Sequence, residues 1–305
     1  MGSQRDIKER VSSVQNIEKI TRAMEMVAAA RLRKAEQRIE ALRPYAEAVR
    51  RMTRQAAEAA ENVPSVPVML EHSEERDVAL LLISGDRGLA GAFNSQIVRA
   101  GTRAAREHEK EGRSIKWYAS GSRGISSLTF RGSDVAGEYA GFSDRPAYAD
   151  AREIAEDLMS AYVDEDVDRV EIFYNGYISP LNQVVRRETL LPLQQASILG
   201  EDDEEEDGSD DGQGPTSDAR ALVEYEPDPE EILKRLVPDY VEISIYRALL
   251  ESTASEHGAR MTAMRSASEN AGEIIDDLTL EMNRARQAEI TQEIMEVVAG
   301  AEAIS

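Results

Sequence analysis

A glycine-rich turn, three histidines and several carboxylates are the residues of this chain whose types could do chemistry. Gly85-Asp86-Arg87-Gly88-Leu89-Ala90-Gly91 follows a buried-strand pattern, Val78–Ser84, and precedes a helical stretch. That is the context in which glycine loops cradle phosphates. The spacing, however, is G-x-x-G-x-x-G, neither the dinucleotide fingerprint nor the Walker pattern with its Lys-Ser/Thr. A tight turn serving an α/β domain is the better reading. His72, His108 and His257 are far apart and form no H-x-x-x-H pair, and the chain has no cysteine. Zinc sites, disulfides and thiol nucleophiles are therefore not expected. Asp276 and Asp277 are adjacent on a helical stretch, so they point different ways and read as structural charge. Residues 201–211 hold nine acids and no base. Such a block self-repels and reads as a surface loop with nothing to fix a cation's geometry. No catalytic, cofactor-binding or metal-ligating residue is expected.

The elements around these residues are mostly helical. From Ser3 to Val63 there is no glycine and helix formers dominate. Apolar or small residues recur at Ile7, Val11, Val14, Ile17, Ile20, Met24, Ala28, Leu32, Ala35, Ile39 and Leu42. The mean interval is 3.5, the left-handed coiled-coil period. Three successive intervals of three, from Val11 to Ile20, predict a stammer. Pro44 predicts a kink or break, and Pro64 and Pro67 an end. A helix of about 80 Å, at ~1.5 Å per residue, cannot stand alone and needs a partner. The helical pattern returns at Glu230–Val237 and again at Tyr240–Ile304. Its end is apolar nearly all round at Met295, Val297, Val298, Ala299 and Ala301. An end of that kind is usually buried, here by something outside the chain. Beside it stand Arg284, Arg286, Gln287, Thr291 and Glu293. A solvated face and a partner contact that is made and broken both fit these polar residues.

Between the helical ends, strands at Val78–Ser84, Ser114–Ser120, Val167–Tyr174 and Gln183–Leu190 alternate with helices near Asn94–Glu111 and Ala147–Val163. This predicts a small α/β domain. Charge is divided between the ends. Residues 1–61 carry 13 Lys/Arg against 9 Asp/Glu, and residues 228–305 carry 7 against 16. Opposite signs favour pairing of the two helices. The overall net charge of −22 argues against a nucleic-acid partner. The longest apolar run, Val78–Ile83, is far short of a membrane span, and Met1–Arg10 has no apolar signal core. A cytosolic chain that meets a membrane only through partners is expected.

The two ends closely resemble the gamma subunit of F-type ATP synthases. The N-terminal match is VSSVQNIEKITRAMEMVAAARLRKAEQRI followed by RPYAE. The C-terminal match is ESTASEHGARMTAMRSASENA and then NRARQAEITQEIMEVVAGAEAI. SGDRGLAGAFN, GSRG, FYNGYIS, LLPL and YEPDP follow the family's order between them. The resemblance covers essentially the whole chain and is of the bacterial type, without the cysteine-bearing insert of chloroplast forms.

The resemblance implies an α+β protein in which a long antiparallel coiled coil of the two end helices carries an inserted Rossmann-like α/β domain. The expected divisions are 1–62 and 228–305 for the helices, 63–200 for the α/β domain and 201–227 for the acidic loop and linker. It implies a non-catalytic central-stalk rotor of a proton-translocating ATP synthase, peripheral on the cytoplasmic side of the cell membrane. Its partners would be the alpha and beta subunits, the epsilon subunit and the c-subunit ring, with no cofactor. Met24, Arg260, Gln287, Thr291, Glu293, Val297 and Ile304 match the contacts with the alpha/beta ring. Tyr225 matches the foot against epsilon and the c ring. Two other readings remain. One is a coiled-coil scaffold without a rotary role; the other is a small nucleotide-binding regulator using Gly85–Gly91.

Overall fold

The computed structural model describes residues 4–59, 68, 72, 74–193 and 229–302. Helix α1 (Gln4–Ala59) and helix α5 (Pro229–Glu302) lie side by side, and their mutual contact is the most extensive in the chain. Thr21 and Ser268 share a hydrogen bond of 2.6 Å, and Arg265 donates to Glu25 at 2.9 Å. Position rises along one helix as it falls along the other, so the pair is antiparallel, as expected.

The buried seam of α1 runs through Ile7, Val11, Val14, Glu18, Thr21, Glu25, Ala28, Leu32, Ala35, Ile39, Leu42, Ala46, Val49, Thr53 and Ala56. Every one is buried or half-buried, and the steps alternate four and three without interruption. The predicted stammer is absent. Between Val14 and Thr21 the seam passes through Glu18, while Ile17 and Ile20 are 51% and 59% exposed. The apolar residues at that point are not the ones facing the partner helix. The seam keeps its 3.5 period because Glu18 and Thr21 are tolerated there: the Thr21 hydroxyl meets both the Glu18 carbonyl and Ser268.

Neither proline breaks its helix. α1 runs through Pro44 and α5 through Pro238, where the sequence pattern suggested an interruption. Pro44 is exposed, as is Glu40 four residues before it, so the carbonyl deprived of its partner can reach water. Pro238 lies between the fully buried Val237 and Val241, and tertiary packing on both sides holds the helix.

The inserted domain is a five-stranded sheet in the order β3-β2-β1-β4-β5. Its strands are β1 (Asp77–Ile83), β2 (Ser114–Ser120), β3 (Val135–Tyr139), β4 (Arg169–Ser179) and β5 (Asn182–Leu191). The first four are parallel, and β5 is an antiparallel hairpin partner of β4. The connecting helices are α2 (Phe93–Lys110), α3 (Ser122–Phe130) and α4 (Tyr148–Val163). The sequence reading missed β3 and α3. Strand VAGEY is a short edge with little apolar alternation, and SRGISSLTF has few strong helix formers.

The central strand DVALLLI is a continuous apolar run because both faces of the sheet are covered. On one face Val78, Leu80 and Leu82 pack with Ile97 of α2, Trp117 and Leu128 of α3. On the other, Leu81 and Ile83 pack with Ile154 and Leu158 of α4 and with Val241, Ile245 and Leu249 of α5. Helix α5 is thus a member of the domain's core as well as half of the shaft.

The uninterrupted seam makes a prediction that a stammered one would reverse. Leu32→Ala should cost about 2–5 kcal/mol, the range for a buried leucine, whereas Ile20→Ala should stay within ~0.5 kcal/mol as an exposed site does. Thermal and urea unfolding of the full chain would check both.

Candidate functional site

Two regions of the structure bear on function: the junction where the sheet meets the shaft, and the outer surface of the shaft beyond it. At the junction, the carboxyl ends of β1 and β2 face α5. In an open parallel sheet a ligand binds at that edge, where the strand order reverses around β1. Here the place is taken by the chain itself. Ser252–Gly258 of α5 is buried all round, although only Ala254 in it is a purely apolar residue.

The glycine loop receives a side chain of α5. A Cβ built on Gly85 would stand 2.8 Å from the carboxylate carbon of Glu256, so any larger residue there has to displace that buried, Arg260-paired carboxylate. Arg260 pairs with Glu256 and donates to the Gly88 carbonyl at 3.3 Å. The Thr253 hydroxyl donates to the Ser143 carbonyl, and the Ser255 hydroxyl to the Asn175 carbonyl, each at 2.9 Å. From α1, Arg31 reaches Asp144 at 2.6 Å and Arg38 donates to the Pro146 carbonyl at 3.4 Å. Tyr177 of β4 donates to Glu36 at 2.5 Å.

Asp86 organises the loop from within. Its carboxylate accepts the Ser122, Gly141 and Ser143 N–H groups at 2.9–3.1 Å. It thereby caps α3, whose preceding residue is the side-chain-less Gly121. Burial pushes the Asp86 pKa up, but these backbone donors outweigh it and hold the acid below its usual range. Burial likewise opposes ionisation of Asp144, and the bond from Arg31 prevails. Glu256 is shifted the other way: burial raises its pKa despite Arg260. His257, buried and beside the Arg260 guanidinium, is held down to about 4 and is neutral at pH 7.

The room left for a ligand is small. The cavity between Ser84, Ser120, Ser143 and Glu256 has a volume of about 10 Å³, the size of a single water site. A neighbouring cleft of about 230 Å³ lies between Gly91–Phe93, Asn175, Thr262, Ala263 and Ser266, with no charged residue in its lining. It is smaller than most ligand pockets and offers no cation to a phosphate. Among the described residues no cluster of His, Asp or Glu could hold a metal ion.

The second region begins where the shaft leaves the domain. Continued outward, the antiparallel register brings Gln4 level with about Ala285, so roughly 17 residues of α5 extend beyond α1, about 25 Å at ~1.5 Å per residue. From Arg286 to Ala299 every residue of this overhang is exposed. Val297 is 72% exposed, and Ile290, Ile294, Met295 and Val298 are exposed with it. Gln287, Thr291 and Glu293 lie on the same stretch, the Thr291 hydroxyl donating to the Gln287 carbonyl at 2.8 Å. Met24 is half-buried on α1 and belongs to a stripe with Ile17, Ile20 and Val27 that flanks the seam.

The residues singled out in the sequence therefore do not all share one surface. Gln287, Thr291, Glu293 and Val297 lie together on the overhang, and Met24 lies on the paired shaft. Arg260 is buried in the junction with Glu256 and Gly88. Ile304, Tyr225 and the acidic block 201–211 lie outside the described residues. Glu256 and Asp86 were missed. The signal for Glu256 was a carboxylate in a run of small residues, Ser252–Gly258, where a charge has no solvated face to occupy.

The neutral state of His257 gives the junction a pH dependence. A pKa lowered from 6.5 to about 4 leaves the fold unaffected above pH 6.5 and destabilises it progressively as pH falls from 6.5 toward 4, by up to about 3 kcal/mol at 1.36 kcal/mol per unit. Glu256, with its raised pKa, works in the opposite sense and favours the fold at low pH. Asp86 and Asp144, with lowered values, lose their contribution only below the range of His257. His257→Gln, which keeps an acceptor for Arg260, should flatten the loss between pH 6.5 and 4 in urea titrations of the full chain. An unchanged slope would show that His257 is not its source.

Comparison with known proteins agrees with this architecture. The family model described as ATP synthase matches residues 3–304. The ATP synthase gamma chain of Rubrobacter xylanophilus is 41% identical over all of this chain and 99% of its own. That of Halothermothrix orenii is 40% identical over the full length of both. Among solved structures, one of the Tetrahymena thermophila mitochondrial ATP synthase central stalk and c-ring contains a chain 26% identical to this one. It superposes with a TM-score of 0.59, over 82% of this chain and 99% of that one. A chain of the Euglena gracilis mitochondrial ATP synthase, 17% identical, shares the fold with a TM-score of 0.67 over 99% and 94%. With full-length relatives at about 40% identity and a family model spanning nearly every residue, the chain belongs to the ATP synthase gamma-chain family.

Proposed function

We propose that this chain is the central rotor shaft of a proton-translocating ATP synthase. It turns with the c-subunit ring and drives the catalytic sites of the beta subunits in sequence. The observation that carries the reading is the overhang of α5: an exposed helix end that joins apolar residues to Gln287, Thr291 and Glu293. A lone helix of this length is not stable in water. Surrounded by a ring of alpha and beta subunits, Val297 and its apolar neighbours become a bearing surface, and the polar residues become contacts that exchange from one subunit to the next. Coupling requires contacts that differ between the states of each site. A one-sided surface such as the Ile17, Ile20, Met24 and Val27 stripe provides that asymmetry.

The chain's own role is non-catalytic. The sheet edge where a nucleotide would sit is filled by Glu256 and Ser252–Gly258. The α/β domain is the foot, and Tyr225, on its sequence match, meets the epsilon subunit and the c ring. Arg260 acts from inside the junction, and Ile304, on its sequence match, is a further contact with the alpha/beta ring. No described helix is long and apolar enough to cross a membrane. The complex would therefore hold this chain at the cytoplasmic side of the cell membrane through its partners.

Two measurements test the assignment. An affinity tag on this chain should bring down alpha, beta, epsilon and c subunits from detergent-solubilised membranes; recovery of the chain alone would favour a free-standing scaffold. Met24→Lys places an ammonium at the edge of the seam beside the exposed stripe. It should leave assembly intact and lower ATP-driven proton pumping relative to ATP hydrolysis. Pumping at the wild-type ratio would remove Met24 from the contact.

A further inference from the structure

A shaft that passes torque to a foot needs the two held at one angle, and the junction shows what could hold them. Apolar burial of α5 against the sheet resists separation and sliding, but being non-directional it does not by itself single out one setting. Directional contacts have to supply that. Those from α1, Arg31 to Asp144 and Glu36 to Tyr177, are only partly buried, which weakens them relative to contacts fully out of water. The contacts from α5 are buried, and one of them combines charge with shape. Glu256 stands against Gly85, where any added side chain would have to displace its carboxylate, while Arg260 joins Glu256 to the Gly88 carbonyl.

We propose that Glu256 is a positioning residue that fixes the rotational and axial setting of the α/β domain on the shaft, with the Gly85 gap as its seat and Arg260 as its tie. The proposal rests on the rotor reading for its purpose but not for its geometry.

Three features of the junction support it. A buried ion pair is a poor way to gain stability, since desolvation offsets most of the attraction, and its best-attested use is to set register. The helix face that meets the loop reads Ser252, Glu256, Arg260 at successive turns. A shift of one turn, about 5.4 Å, would bring Ser252 or Arg260 to Gly85. A serine would leave the gap unfilled, and an arginine would overfill it. Only one setting places a carboxylate there. Finally, the neighbours fasten the same setting independently, with Thr253 on the Ser143 carbonyl and Ser255 on the Asn175 carbonyl.

The chain has no cysteine, so a pair of introduced cysteines can be labelled alone. Phe130→Cys on the foot and Ile274→Cys on the shaft are both at exposed positions, 93% and 48%. Single-molecule energy transfer between them in the full chain reads the distribution of foot-to-shaft settings. Wild type should give one narrow distribution. Gly85→Ala and Glu256→Ala should each widen or split it at temperatures well below unfolding. Gly85→Ala combined with Glu256→Asp, which withdraws the carboxylate by one methylene, should narrow it again. Should Gly85→Ala fail to fold, Glu256→Ala, which only removes atoms, carries the test. A distribution as narrow as wild type in Glu256→Ala overturns the proposal. So does a lowered melting temperature without widening, which is what a purely stabilising role predicts. Recovery of partner subunits by the tagged chain tests the rotor reading separately, so the two can fail independently.

Discussion

The constraint on which the rest of this structure depends is that one continuous helix, α5, has to be buried in different ways along its length. Seventy-four residues cannot be stable as an isolated helix with a single apolar face that nothing covers. At its start α5 lends Leu233, Val237, Val241, Ile245 and Leu249 to the core of the sheet. In its middle it is enclosed on all sides by the sheet edge, the glycine loop and α1. Further on it has α1 alone, and at its end it has nothing from the other described residues. Each change of surroundings is matched by a change of residue type: large aliphatics, then serines and small residues with one ion pair, then the sparse seam of Met264, Ala271 and Leu278, then a mixed exposed surface.

That succession explains what could and could not be read from the sequence. The pairing of the ends, the period of the seam and the inserted α/β domain follow from local pattern, because each rests on residues close in sequence facing one neighbour. The path of the seam through Glu18 and Thr21 does not. A list of apolar residues selects Ile17 and Ile20, and only the partner helix, with Ser268 opposite Thr21, decides between the two rows. Pro44 and Pro238 mislead for a similar reason. Proline's local penalty is real, but packing over the neighbouring turns exceeds it. Strand β3 and helix α3 are short and held from outside, by pairing with β2 and by the Asp86 carboxylate fifty-odd residues upstream of Gly141.

The junction shows how a fold that elsewhere holds nucleotides can serve as a mechanical part. The glycine loop keeps the property that makes it useful to a phosphate, close approach of backbone to a charged group. The charged group here is a carboxylate of the same chain. Asp86, another carboxylate, takes the N–H groups of Ser122, Gly141 and Ser143 that could otherwise have served an anionic ligand. Arg260 illustrates how family membership and structure inform each other. Its motif suggests a surface contact, yet its guanidinium is spent inside the chain on Glu256, His257 and Gly88. A role for Arg260 in coupling would therefore run through the setting of the foot.

The overhang completes the argument because stability of the chain alone cannot account for it. Ile290, Ile294, Met295, Val297 and Val298 contribute no intramolecular burial while exposed, and each costs free energy in water. At about 25 cal/mol per Å² of apolar area, covering such a group of side chains is worth several kcal/mol to whatever surrounds it. In the proposed rotor, the interleaved Gln287, Thr291 and Glu293 would keep that surface from binding one partner permanently, since their hydrogen bonds must be satisfied again in every position. A tip that is apolar enough to be held, and polar enough to be released, has the properties of a bearing rather than of a glued joint. The rigid key lies where the shaft meets the foot, at Glu256 against Gly85.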